Sequence, residues 1–250
     1  MARFDESILE QRIKSIIRSR SLDSDTPLAD PRSDACKTFV VATSIRAAGS
    51  PVLMQTYDNF PLSESLSATI WQAARATSAA PSFFLPVQIN GVRYGDGGTG
   101  WNNPIELAID EAHNIWPNRA IGCLVSIGTG LEDAIQLGDI NEKGKGLAKD
   151  LLSKLSPRTS FKIEVAEWCV ELLTGSEKIH RQIAARLGRL GLDGKYFRLN
   201  VPQGMSRIGL EDWEKIDDMI ALAEDYMRFG DVQKAKQILS QRLLNPGVAR

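Results

Sequence analysis

A chain of 250 residues, 43% of them hydrophobic, is long enough to bury a substantial core and fits one or two domains. Its 30 basic and 31 acidic residues leave a net charge of −1, which excludes a general attraction to nucleic acid or to an anionic membrane surface. Cys36, Cys123 and Cys169 are odd in number and widely spaced, so they form neither a disulfide framework nor a C-x-x-C zinc site, and no metal or cofactor is expected.

Taken in chain order, residues 5–18 carry Ile8, Leu9, Ile13, Ile16 and Ile17 on one helical face. The polar stretch 19–36, with Pro27 and Pro31, reads as a loop. Phe39-Val40-Val41-Ala42 has strand length and suits a buried place in a mixed or parallel sheet. A second strand is expected over Val52 to Tyr57. Leu66, Ile70, Ala73, Ala74 and Thr77 mark a helix that has to end before Pro81. Val87 to Ile89 and Val92 to Tyr94, joined by Asn90-Gly91, form the clearest hairpin.

A further helix is expected from Asn103 as cap and Pro104 in the first turn, with Glu106 completing a box-like arrangement. Its stripe is Ile105, Ala108, Ile109, Ala112, Ile115 and Trp116. Ile121 to Ile127 follows as a buried strand, with Cys123 as a small buried hydrophobe. The order strand, helix, strand indicates an α/β layered domain. Residues 131–160, including Gly144 to Leu147, read as an exposed excursion with a short helix. Phe161, Val165, Trp168, Cys169 and Leu172 form one helical stripe, and Ile179, Ile183, Leu187 and Leu190 another. Tyr196 to Val201 is a late strand. The last segment is a helix pair broken at Gly230 and capped by Asp231.

Tyr94-Gly95-Asp96-Gly97-Gly98 stands directly after the hairpin and places one carboxylate between glycines. Glycine permits φ > 0 and close approach of another chain or a substrate, which suits a proton acceptor facing a cleft. Asp and Gly are also ordinary turn residues, so a solvated hairpin loop is the competing reading. Gly95 to Gly100 fits G-x-G-x-x-G as well, but a hairpin precedes it where a dinucleotide fold needs a first parallel strand. Asp96 would also lie beside a pyrophosphate, and the next helix is expected to start several residues late. His113 and His180, the two histidines, both fall on predicted helices and read as surface or boundary residues. Arg75 reads either as half of a structural ion pair or as an exposed helix residue.

The segments around the motif carry a resemblance. Ala73 to Phe84 (Ala-Ala-Arg-Ala-Thr-Ser-Ala-Ala-Pro-Ser-Phe-Phe), Trp101 to Ala112, Lys37 to Tyr57 and Val125 to Gly130 follow an order that resembles the patatin-like phospholipase family, particularly its fungal members. In that family an Asp-Gly-Gly or Asp-Gly-Ala motif supplies the base of a Ser-Asp dyad. The resemblance therefore implies that Asp96 is the proton acceptor, with Gly95, Gly97 and Gly98 as its motif. It implies a three-layer α/β fold with flanking helices, and a lipid acyl ester, phospholipid or neutral glycerolipid, as substrate. An aspartate near its ordinary pKa of roughly 4 is a weak base for a hydroxyl. Burial in a cleft has to raise it.

The family's nucleophile sits in a Gly-x-Ser-x-Gly elbow, and no serine here has glycine on both sides at that spacing. Ser126 has Gly128 after it but Leu124 before it, and Ser206 has Gly204 before it but Ile208 after it. The resemblance implies that elbow and oxyanion segment precede Met1, so a domain truncated at its N-terminus is expected over residues 1–205, with a C-terminal helical extension over 206–250. The chain then holds the aspartate half of the dyad and no nucleophile, and is inactive alone. The alternative is a non-catalytic regulatory or interaction module on the same scaffold. Transient contact with a membrane surface and self-association through unpaired sheet edges complete the expected partners, with no nucleic acid. With no signal-peptide pattern and no apolar run near the ~20 residues a membrane helix needs, a cytoplasmic protein is expected.

Overall fold

The computed structural model describes residues 3–46, 50–58, 66–81, 83–131, 175–205, 208–209 and 211–244. The expected excursion over 131–160, the stripe from Phe161 to Leu172 with Cys169, and Ser206 fall almost wholly outside these residues. The described chain is mixed α/β, as expected, and divides at Pro104 into two compact units.

In the first unit, helix α1 (Glu6–Ser19) starts where the Asp5 carboxylate accepts a hydrogen bond from Ser7 N at 2.9 Å. The expected stripe is only partly used, since Ile17 is buried while Ile8 and Ile16 face outward. Strand β1 (Phe39–Ser44) pairs with β2 (Pro51–Gln55), Phe39 opposite Gln55. Helix α2 (Ile70–Thr77) opens with a full capping box, Gln72 N to Thr69 Oγ1 at 3.3 Å and Thr69 N to Gln72 Oε1 at 2.9 Å. It ends before Pro81, as the proline requires.

The hairpin β3 (Val87–Ile89) and β4 (Val92–Asp96) turns on Asn90 and Gly91, whose φ angles of +49° and +77° make a turn matched to the strand twist. The four strands run in the order β2-β1-β4-β3, and every pairing is antiparallel. This corrects the expectation of a mixed or parallel sheet around Phe39 to Ala42. Only Val41 and Ala42 of that run are buried. The run is central, with β1 paired on both sides, and α2 covers Ala42 on one face of the sheet. Ala42, Met54, Val87, Ile89 and Tyr94 form the core with Ala68, Ala73 and Ala76, so α2 lies against the sheet through alanines. Small side chains let helix and strands approach closely.

The second unit contains α4 (Ile105–Ile115), β5 (Leu124–Ile127), a helical stretch over 175–184, β6 (Tyr196–Leu199), α5 (Ile216–Tyr226) and α6 (Gly230–Leu244). Strands β5 and β6 are parallel, Leu124 opposite Tyr196. Ile105 and Ile109 meet Ile183 and Leu192 in its core, so the expected stripes over α4 and 179–190 do pack. Three expectations are corrected. Helix α4 begins at Ile105, one residue beyond Pro104. The strand β5 covers only Leu124 to Ile127 and is buried only at Ser126, with Ile127 77% exposed. Asp231 lies inside the first turn of α6 and not before it, where it pairs with Lys234 at 3.6 Å in full exposure. Among the described residues no helix is long and apolar enough to cross a membrane.

Candidate active site

Asp96 is the last residue of β4 and stands opposite Ala42 of β1. It is therefore not in the hairpin loop, which lies at Asn90-Gly91 at the other end of the strand. A single helical turn, α3 (Gly98–Trp101), follows at once, which corrects the expectation that helix would resume only several residues later. The segment is strand, aspartate, turn of helix. The preceding strand belongs to an antiparallel hairpin, so the dinucleotide reading still lacks its first parallel strand.

Every polar backbone group of Asp96 is engaged. Its N–H donates to Ala79 O at 3.1 Å, and its carbonyl accepts from Thr43 Oγ1 at 3.0 Å. On the side chain, Oδ1 accepts from Gly98 N at 2.6 Å. The carboxyl is half-buried, and burial pushes its pKa above the ordinary value of 3.8, while the Gly98 N–H opposes that shift. This is the direction a carboxylate needs in order to accept a proton from a hydroxyl.

The glycines act by closeness more than by conformation. Gly97 has φ −72°, but a Cβ there would come within 2.5 Å of Val41 O, so nothing larger fits between the helical turn and β1. At Gly95 the nearest atoms to such a Cβ would be Thr43 Oγ1 at 3.7 Å and Ala79 O at 3.8 Å, an ordinary contact. Positive φ occurs only later in the motif, at Gly100.

Arg75 is the ion-pair residue and not an exposed one. It is 1% exposed, with Nε 3.4 Å from Glu10 Oε1 and Nη2 2.8 Å from Leu85 O. Its guanidinium lies 5.5 Å from the Phe84 ring centre. Arg75 thus ties α1 and the 83–85 segment to α2, whose following loop supplies Ala79 O to Asp96.

In the second unit Ser126 is buried on β5, and its Oγ accepts from Arg198 Nη1 at 2.9 Å. Arg198 is itself paired with Glu177 at 2.8 Å. Arg198, a positively charged donor on the Ser126 oxygen, is not a base that takes its proton. His113 is exposed, and His180 Nδ1 lies 3.0 Å from the Tyr196 hydroxyl. Reading the sequence missed the partners of Asp96, namely Thr43, Ala79 and Gly98. A signal for Thr43 was present, because Ala-Thr-Ser occurs at 42–44 and again at 76–78.

Comparison with known proteins gives this arrangement its context. The calcium-independent phospholipase A2-gamma of Mus musculus is 29% identical over 248 residues, covering 94% of this chain and 28% of the relative. The Homo sapiens protein of that name is 28% identical over 92% of the chain and 28% of its own length. The Arabidopsis thaliana protein Phospholipase A I is 48% identical over 61 residues, which are 24% of this chain and 5% of that protein. The chain thus spans less than a third of the length of the relatives it matches. The model of the patatin-like phospholipases matches residues 1–109, which include the sheet, Asp96 and the glycines around it. Over residues 1–109 the chain is thus similar to the patatin-like phospholipases.

Proposed function

We propose that this chain contributes the general base of a lipid acyl hydrolase, with Asp96 as proton acceptor. The observation that carries the reading is the Asp96 carboxyl itself, half-buried at a strand end with its pKa raised and one oxygen held by Gly98 N. In the reaction a serine hydroxyl attacks the acyl carbonyl carbon and its proton passes to Asp96. When the ester C–O bond breaks, Asp96 returns that proton to the departing alcohol. Water then hydrolyses the acyl-enzyme by the same exchange. Backbone N–H groups aimed at the carbonyl oxygen have to carry the developing negative charge. The family and the names of the relatives favour a phospholipid ester, and transient contact with a membrane surface follows from such a substrate. A cytoplasmic setting fits the free thiols of Cys36 and Cys123. Strands β2 and β3 end the first sheet, and self-association would use those edges.

No serine of the chain lies in a Gly-x-Ser-x-Gly elbow, so the hydroxyl comes from outside these 250 residues. The same observation favours a second reading, a non-catalytic module that keeps the scaffold. A fluorophosphonate probe tests the assignment of the nucleophile. The purified 250-residue chain should remain unlabelled by mass spectrometry, because both nucleophile and oxyanion donors are lacking. Stoichiometric labelling of Ser126 would mean that the chain holds a complete site of its own.

A further inference from the structure

We infer that Thr43 and Thr77, the threonines of the two Ala-Thr-Ser segments, are positioning residues that fix the Asp96 carboxylate where β4 leaves the sheet. The inference rests on the reading of Asp96 as a general base.

Pairs along an antiparallel ladder alternate between those that exchange hydrogen bonds and those that do not. Ile45 N donates to Arg93 O at 3.0 Å, so in this register Thr43 and Gly95 are a bonded pair, and Ala42 with Asp96 is not. The backbone groups of Asp96 are therefore not taken by β1. The pairing of β4 with β3 stops at Tyr94, so the ladder on that side does not take them either. Ala79 O and Thr43 Oγ1 supply the partners that the sheet does not. On β1 the next bonded position is Val41, but its opposite number Gly97 has already turned helical, with φ −72° and ψ −14°. Val41 O accepts instead from Thr77 Oγ1 at 2.8 Å. Two hydroxyls thus satisfy carbonyls on both sides of the strand end.

This bracing matters because the chain around Asp96 is three-quarters glycine and has little stiffness of its own. With the Asp96 carbonyl held by Thr43, and Val41 held by Thr77 against Gly97, the next peptide is placed so that Gly98 N meets Oδ1 at 2.6 Å. That bond commits Oδ1. Among the described residues Oδ2 accepts no hydrogen bond, and it is the oxygen left to take the proton. Among the described residues no charged side chain adds to the two influences on the carboxyl, burial and the Gly98 N–H. Strand β1, the loop 78–86 and α3 carry none, Arg93 on β4 is exposed, and Arg75 on α2 is engaged by Glu10 and Leu85.

The test is an NMR titration of the 250-residue chain carrying 13C at aspartate carboxyls and 15N at amides, with Asp96→Asn to assign the resonance. In the unaltered chain the Gly98 amide should shift with pH in step with the Asp96 carboxyl. In Thr43→Val and in Thr77→Val, loss of the brace should weaken the Gly98 bond, raise the carboxyl midpoint and shrink the amide displacement. The double variant should lose that displacement, and Thr43→Ser should retain it. Val variants that both titrate like the unaltered chain, with the Gly98 amide unchanged, would overturn the inference. If Thr43→Val does not fold, Thr77→Val decides by the same two readouts, since its hydroxyl touches Val41 and not Asp96. The result is separable from the functional reading, because the braces stand or fall on this titration even if Asp96→Asn leaves turnover intact.

Discussion

Replacing Asp96 with Asn is expected to lower acyl-ester turnover by roughly 10²–10⁴ in a form of the protein that carries the serine elbow, the range a positioned base supplies. The same change should leave the fold at least as stable at neutral pH. The sign follows from the raised pKa of the folded carboxyl. Below the unfolded value near 3.8 both states are protonated, and the group costs nothing. As pH rises through the folded value, the native state has to hold a charge in a half-buried place, and stability falls. Asn never carries that charge and can still accept from Gly98 N. Melting curves should therefore show Asp96→Asn equal to or above the parent at neutral pH, with any difference vanishing in acid. A variant clearly less stable at neutral pH would mean that the carboxylate is a structural group.

Arg75→Ala should cost about 2–4 kcal/mol, the largest stability loss expected from a single polar residue here. The change removes the hydrogen bond to Leu85 O and the stacking on Phe84, and it opens a cavity under α2. Breaking a fully buried pair costs about 3–5 kcal/mol, but Glu10 is partly exposed and can be rehydrated, so the lower figure applies. Arg75 also has a buried Nη1 without a hydrogen-bond partner. Arg75→Met removes that unsatisfied donor and keeps most of the volume, so it should cost less than Arg75→Ala. Urea midpoints of the two variants provide the measurement. A midpoint for Arg75→Ala indistinguishable from the parent would show that α1, α2 and the 83–85 segment hold together without it.

Much of the first unit was legible because its signals are local. Asn90-Gly91 specifies its turn, Pro81 limits α2, and the strand lengths follow from short apolar runs between polar ones. Sheet direction was not legible from Phe39 to Ala42, since a run that short looks the same whether helices or neighbouring strands cover it. In the second unit, periodicity found the core residues Ile105, Ile109 and Ile183 but overstated β5, whose Ile127 points to water. Apolar character alone does not say which side of a two-stranded sheet is covered. Asp96 stood out because glycines isolate it in sequence. Its partners did not, because Thr43 and Ala79 reach it across the sheet and across a loop, contacts that leave no trace in local spacing. The raised pKa is likewise a product of burial, which only the fold supplies.

The central claim, that Asp96 takes the proton, is tested most directly by comparing two titrations in a form of the protein that carries the serine. One is the Asp96 carboxyl observed by 13C NMR, and the other is the acid limb of kcat/KM for acyl-ester hydrolysis, which reports the essential base of the free enzyme. The account predicts a common midpoint, above the ordinary aspartate value of 3.8 because burial disfavours the charge. An acid limb at a clearly different pH, or an Asp96 carboxyl that titrates at or below the ordinary value, would contradict it.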